Sequence, residues 1–239
     1  MPLPIVIAHR GDSSRGLENS MEAIRLALSI PSDMIEVDVR KSLDNRLYIM
    51  HDNETGRTAE SNIAIEDAES GEIAHVRLKN GEPIPTLAQV LDLISGRAGL
   101  NLEIKSKGAG ALCAAAILGA GYRGHVVFSS FNEMEVMDIR RIMPKAPVAE
   151  IFNEFNLADL PAYRSNGYGI ISLRKKTVTK ALVSACHGHN ISVYVWTVNE
   201  EDEMKRLISW GVDGIYTNRP ALLKQVLSGM AAERRESRE

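Results

Sequence analysis

The chain has two cysteines in 239 residues, and neither has a nearby partner or metal-type spacing. Cys113 and Cys186 lie in small-residue stretches that read as helix, and both are expected to be buried spectators. Charge of one sign is also lacking. The balance of 28 Lys and Arg against 31 Asp and Glu leaves a net charge of −3. That offers no general field for nucleic acid or an anionic membrane, so any anion binding must be local. No apolar run approaches the length of a membrane span, so no stable membrane insertion is expected. The chain reaches its first apolar run at Ile5 without a charged region, apolar stretch and cleavage site ahead of it. A soluble protein of a reducing, cytoplasmic compartment is the expectation. Internal repeats and low-complexity blocks are missing as well.

Short β-branched runs alternate with longer amphipathic segments along the whole chain. Candidate parallel strands fall at 5–8, 34–40, 99–104, 126–129, 148–151, 169–172, 192–196 and 214–216. Eight is the number that closes a (β/α)8 barrel, and chains of this length commonly form one such domain. Helix starts are marked by Asn19 with Glu22, by Thr86 with Gln89, by Asn132 and by Asn199. The run Leu47-Tyr48-Ile49-Met50 follows strand 34–40 too closely for a crossover helix, and Asp44-Asn45 favours an antiparallel hairpin. The hairpin lifts His51 and Asp52 above the barrel mouth. Residues from about 53 to 85 have weak periodicity and read as a small lid or substrate-side insertion. The expected architecture is therefore a single (β/α)8 TIM-barrel domain over 1–239, with a hairpin and small insertion after the second strand. Residues 231–239 lack apolar anchors and are expected to fray.

Three of the strands end in charge: His9-Arg10, Glu36 with Asp38, and Glu103 with Lys105. Residues two apart share a strand face, so Glu36, Asp38 and Arg40 lie opposite Ile35, Val37 and Val39. The apolar set suits the helices, which turns the carboxylates inward toward the mouth. Two carboxylates ~5 Å apart at an effective dielectric of ~20 repel by about 3 kcal/mol. A divalent cation relieves this, and an all-oxygen ligand set selects a hard ion, Mg²⁺ or Ca²⁺. Ion pairing of Glu36 and Asp38 with Arg10, Arg40 and Lys105 is the alternative. Arg10 offers a fork of donors suited to phosphate, beside an imidazole able to pass a proton. Gly11 permits a sharp exit from the strand. With His51 as a second imidazole, these groups suit the cleavage of a phosphate ester. The other histidines, His75, His125, His187 and His189, read as helix-end or loop residues. Trp196 closes a strand, where it either seals the core or offers a flat face to a ligand.

In this order, the motifs resemble those of the glycerophosphodiester phosphodiesterases almost end to end. The matching stretches are His9-Arg10-Gly11 with Glu18-Asn19, Glu36-Val37-Asp38, His51-Asp52 and Ile84-Pro85-Thr86-Leu87. They continue through Asn101-Leu102-Glu103-Ile104-Lys105, Ser129-Ser130-Phe131, Val195-Trp196-Thr197 and Gly211 to Thr217. The resemblance implies a TIM barrel hydrolysing a small-molecule glycerophosphodiester to glycerol 3-phosphate and an alcohol. It implies Glu36, Asp38 and Glu103 as ligands of one divalent cation, His9 and His51 as the acid–base pair, and Arg10 and Lys105 on the phosphoryl oxygens. Trp196 would pack on the glycerol side. The chain departs from the pattern at Leu17, Ser20 and Asn218 (where Asp is often seen), and in the stretch from Asn53 to Gly56. Two rivals are a lysophospholipase D-like enzyme on the same barrel and a non-catalytic phosphate-ester binder. The first would need an apolar entry, for which Ile63, Ala64 and Ile65 are the best candidates in the insertion. The second has no use for two proton shuttles.

Overall fold

The computed structural model describes residues 2–236. Eight strands run parallel: β1 (Ile5–His9), β2 (Met34–Lys41), β4 (Gly99–Ile104), β5 (Val126–Ser130), β6 (Val148–Phe152), β7 (Ile170–Arg174), β8 (Ser192–Trp196) and β9 (Gly214–Thr217). Between β2 and β4, the antiparallel strand β3 (Leu47–Ile49) pairs with β2 outside the ring, as the Asp44-Asn45 turn requires. Because β1 pairs with both β2 and β9, the ring closes into a TIM barrel.

Two apolar layers follow from strand alternation. Ile35, Val37, Val39, Leu102 and Ile104 face outward and are fully or almost fully buried under the helices. Inside the ring, Ile7, Met34, Val127, Ala149, Tyr194 and Tyr216 form a smaller apolar floor. The inner-face charges stand above that floor, which is why they are desolvated.

The shell consists of α1 (Met21–Ser29), α2 (Ser70–Ile73), α3 (Leu87–Ile94), α4 (Ala109–Gly119), α5 (Glu133–Ile142), α6 (Leu160–Ser165), α7 (Lys180–Gly188), α8 (Glu201–Trp210) and α9 (Pro220–Glu236). Thr86 and Gln89 form the expected capping box of α3, and Asn132 caps α5. Two expected caps are displaced. At α1 the cap is Ser20, whose hydroxyl accepts from the Ala23 N–H, while Asn19 turns into the barrel. At α8 the cap position is Glu200, without a side-chain bond, because Asn199 accepts instead from the Asn218 N–H at 2.9 Å. Helix α9 runs to Glu236, so the segment from Ala231 is helical to that point rather than frayed; residues 237–239 lie outside the described residues.

Residues 53–85 hold more structure than their weak periodicity suggests. A short 3-10 turn (Thr55–Arg57), helix α2 and isolated bridges such as Ala59 to Leu78 enclose a separate apolar cluster that includes Ile65, Ile73, Leu78 and Ile84. Both cysteines are fully buried, and burial raises each thiol, that of Cys186 to about 11, consistent with a spectator role. His187 sits in the last turn of α7, 2.8 Å from Asp213, and His189 is the C-cap residue of that helix. Among the described residues, no helix is long and apolar enough to cross a membrane.

Candidate active site

Three neighbouring strands build the site at their C-terminal ends. Register places His9 beside Glu36 on β1 and β2, and Asp38 beside Glu103 on β2 and β4. One oxygen from each of Glu36, Asp38 and Glu103 lies within 4.8 Å of the others. The inward orientation expected from alternation is the observed one: Glu36 and Asp38 are buried, and Glu103 is half-buried at the mouth.

Ion pairing accounts for part of this cluster. Arg10 Nε lies 3.0 Å from Asp38 Oδ2, Lys105 Nζ lies 3.2 Å from Asp38 Oδ1, and Lys105 also pairs with Glu103. Arg40, expected as a third partner, instead pairs with Glu66 of the insertion and donates from Nε to the His51 carbonyl at 2.9 Å. Glu36 receives only the Arg10 backbone N–H, at 2.8 Å. Buried Glu36 Oε1 accepts no hydrogen bond among the described residues, and Asp38 Oδ1 faces the Lys105 ammonium at 3.2 Å without a well-formed hydrogen bond. A buried carboxylate oxygen left unpartnered, as Glu36 Oε1 is, is costly, so the donor set fits a hard divalent ion better than a closed network of ion pairs.

The electrostatics agree. Burial, with Asp38 and Glu103 adding repulsion, raises the Glu36 carboxyl well above its ordinary range. Burial and Asp38 push Glu103 up to about 7. Burial acts in the same direction on Asp38, but Lys105 and Arg10 outweigh it and hold that carboxyl below its usual value. A cation placed among them would favour the ionised form of all three.

The two histidines enter from different elements. His9 Nδ1 lies 2.7 Å from Asn218 Oδ1, on the loop after β9, and His9 Nε2 is 4.0 Å from Glu36. His51, at the end of the hairpin arm, has its Nδ1 2.6 Å from Asp52 Oδ1. With an acceptor at each Nδ1, the free lone pair of each neutral ring is on Nε2. Burial, helped by Arg10, lowers the His9 imidazole to about 4, and burial also lowers that of His51.

His9, Arg10, His51, Glu103, Lys105 and Trp196 all line one cavity of ≈ 180 Å³. Trp196 belongs there rather than to a sealed core, with Phe131 edge-on at a centroid distance of 5.6 Å. The sequence carries no sign that Asn218 or Phe131 belongs to the site, and marks Asn19 as a helix start rather than a site residue. Asn19, with φ of 57°, donates to Asp38 Oδ2 at 2.8 Å and accepts from the Asp38 N–H at 3.3 Å. Asn19 and Phe131 lie inside matching motifs, whereas Asn218 falls just past one, at a position where the chain departs from the pattern.

Gly11 carries the turn after Arg10 with φ of 82°, and a Cβ there would meet the Ala23 backbone carbonyl at 2.6–2.7 Å. Gly81 has the same φ and open space around it. Gly11→Ala is therefore expected to lower stability by about 3 kcal/mol or more, against about 1 kcal/mol for Gly81→Ala. Thermal melts of the two variants check this; equal losses would refute the packing account.

Known proteins share this chain's sequence pattern and its fold. A profile described as the glycerophosphoryl diester phosphodiesterase family matches residues 9–222. The chain belongs to that family. A glycerophosphodiester phosphodiesterase of Caldanaerobacter subterraneus subsp. tengcongensis is 31% identical, covering 92% of this chain and 96% of its own. A lysophospholipase D of Rattus norvegicus is 25% identical over 95% of this chain and 87% of its own. Among solved structures, a glycerophosphodiester phosphodiesterase of Parabacteroides distasonis superposes with a TM-score of 0.86 at 26% identity, covering 95% of this chain and 98% of that one. A phosphodiesterase of Oleispira antarctica, in complex with its product sn-glycerol-3-phosphate, superposes with a TM-score of 0.87 at 24% identity, covering 95% and 97%.

The protein is thus an enzyme of the phosphoric diester hydrolase class. Of the enzyme's insertion, no residue among those described lines the cavity; its charged side chains reach the site from behind, through Arg40 and Asp52. In this structure the insertion braces residues of the site, with Glu66 on Arg40 and Arg57 on Asp52 and Glu18.

Proposed function

We propose that the enzyme hydrolyses a glycerophosphodiester to glycerol 3-phosphate and an alcohol, using one divalent cation, Mg²⁺ or Ca²⁺, and the imidazoles of His9 and His51. The carrying observation is the convergence of three carboxylates, one of them with an unpartnered buried oxygen, beside two imidazoles that line one cavity. The product held by the Oleispira antarctica enzyme supports the same leaving pattern here.

Charge balance supports the reading. Counted as ionised, the state a bound cation would favour, the three carboxylates exceed the cations Arg10 and Lys105 by one negative charge. A divalent ion turns this into one net positive charge, the complement of a phosphodiester. Glu36, Asp38 and Glu103 would hold that ion, which supplies Lewis acidity to a non-bridging phosphoryl oxygen when bound. Arg10 and Lys105 hold the phosphoryl oxygens and stabilise charge developing on them. One imidazole takes the proton of the attacking water, or of the substrate's neighbouring hydroxyl; the other protonates the departing alkoxide. Asp52 stabilises a charged ring at His51, whereas Asn218 gives His9 a neutral acceptor. Asn19 keeps Asp38 aimed at the cluster, and Trp196 with Phe131 flanks the glycerol.

A cavity of ≈ 180 Å³ suits a small diester better than an acyl chain; of the insertion's three apolar candidates, Ile65 is fully buried in the insertion's own cluster, Ile63 packs against that cluster, and Ala64 is partly buried. The test measures glycerol 3-phosphate released from glycerophosphocholine against turnover of lysophosphatidylcholine. Glycerophosphocholine is expected to be preferred; preference for the lysolipid would overturn the substrate assignment, and turnover of neither would overturn the activity.

A further inference from the structure

A continuous chain of charge-assisted hydrogen bonds joins Arg10 to His51 through one residue of the insertion. Arg57 Nη2 donates to Glu18 Oε1 at 2.7 Å and Nη1 donates to Glu18 Oε2 at 2.8 Å. Its Nε donates to Asp52 Oδ2 at 2.5 Å. Glu18 Oε1 also accepts from Arg10 Nη1 at 2.7 Å, and Asp52 Oδ1 lies 2.6 Å from His51 Nδ1. All three guanidinium nitrogens are engaged, on two carboxylates from two different loops. Arg57 itself is half exposed and does not line the cavity, so it reaches the chemistry only through other side chains.

We infer that Arg57 is a positioning residue that sets Arg10 and His51 in register with each other, acting on Arg10 through Glu18 and on His51 through Asp52. The inference rests on the proposed roles of those two groups. An isolated ion pair at such exposure contributes little. This one is a bidentate fork plus a third bond at a fixed angle, a geometry only a guanidinium supplies. Burial works against the charge of Glu18 and of Asp52, yet both carboxyls sit below their ordinary range, with the Arg57 hydrogen bonds the largest favourable contribution to each. Without Arg57, the Glu18 carboxylate loses its fork and can swing with Arg10. Asp52 is left with His51 alone and can rotate off Nδ1. A displacement of about 1 Å at a reacting group is enough to cost about a hundredfold in rate.

The experiment compares steady-state kinetics of the metal-loaded enzyme and its variants. Arg57→Ala is expected to lower kcat/KM by about 30- to 100-fold. Glu18→Gln should act mainly on KM, through Arg10; Asp52→Asn mainly on kcat, through His51; and Arg57→Ala on both. In the Glu18→Gln/Asp52→Asn background, adding Arg57→Ala should change kcat/KM by less than about twofold, because its two routes are already cut. Guanidinium ion added to Arg57→Ala should restore activity at least severalfold, which a purely structural loss would not allow. Should Arg57→Ala fail to fold, Arg57→Lys keeps the charge without the fork, and is expected to fall at least about tenfold with an unchanged melting temperature. Wild-type kinetics in Arg57→Ala or Arg57→Lys, or full additivity in the double background, would overturn the inference. If His51→Ala also kept its turnover, the proton-transfer reading would fail instead. An inactive His51→Ala beside an active Arg57→Ala would refute the role of Arg57 alone.

Discussion

Replacing His9 with alanine is expected to reduce kcat by about 10² to 10⁴, the usual contribution of one positioned proton transfer. The substitution should leave the fold in place. The ring makes one side-chain hydrogen bond, to Asn218, and that loop stays anchored because the Asn218 N–H donates to Asn199 and Arg219 Nη1 donates to the Asn199 carbonyl. The strand itself is held by backbone pairing to β2 and β9, which a side-chain truncation does not touch. Kinetics with glycerophosphocholine, alongside a thermal melt, decide the matter. A native-like melt with turnover within tenfold of wild type would remove His9 from the chemistry.

Withdrawal of divalent metal is expected to cost at least about a hundredfold in turnover, restored by Mg²⁺ or Ca²⁺. The dependence on pH follows from the carboxyls. In the metal-free protein, burial and Asp38 push Glu103 up to about 7, and Glu36 lies well above its ordinary range. A metal must displace those protons, so its apparent affinity should weaken as pH falls below about 7, by up to about tenfold per unit for each proton displaced. The stability sign is the opposite of the usual carboxylate case. A carboxyl raised in the fold contributes stability that is fully present below the unfolded range of about 4 and lost as pH rises through about 7. Metal compensates for that loss, so the rise in melting temperature on adding Mg²⁺ or Ca²⁺ should grow from pH 6 to pH 8. Turnover undiminished after thorough chelation, or no metal-dependent shift at any pH, would defeat the metal assignment.

What could be read from the chain follows from period-2 alternation. Glu36 and Asp38 declare themselves because Ile35, Val37 and Val39 can only face the helices, and Glu103 declares itself against Leu102 and Ile104. The barrel was legible for the same reason, since eight apolar runs with helical segments between them leave few other closures. Asn19 and Asn218 were not legible. Each is a neutral side chain whose use depends on which distant element its loop happens to face, and Asn19 imitated a helix cap so well that Ser20 was passed over. The core of the insertion escaped too, because Ala59, Ile65, Ile73, Leu78 and Ile84 are delivered by turns and single bridges rather than by any regular repeat. The Arg57 chain needed three loops in space before it could be seen.

The closure of the ring between its first and last strands sets an order of completion. Strands β1, β2 and β4 are contiguous neighbours, so a nascent polypeptide emerging from the ribosome has already delivered every carboxylate of the cluster by Glu103. The imidazole of His9, which precedes all three carboxylates in the sequence, acquires its acceptor only when Asn218 arrives behind β9. Vectorial synthesis thus supplies the three carboxylates first and the partner of His9 last.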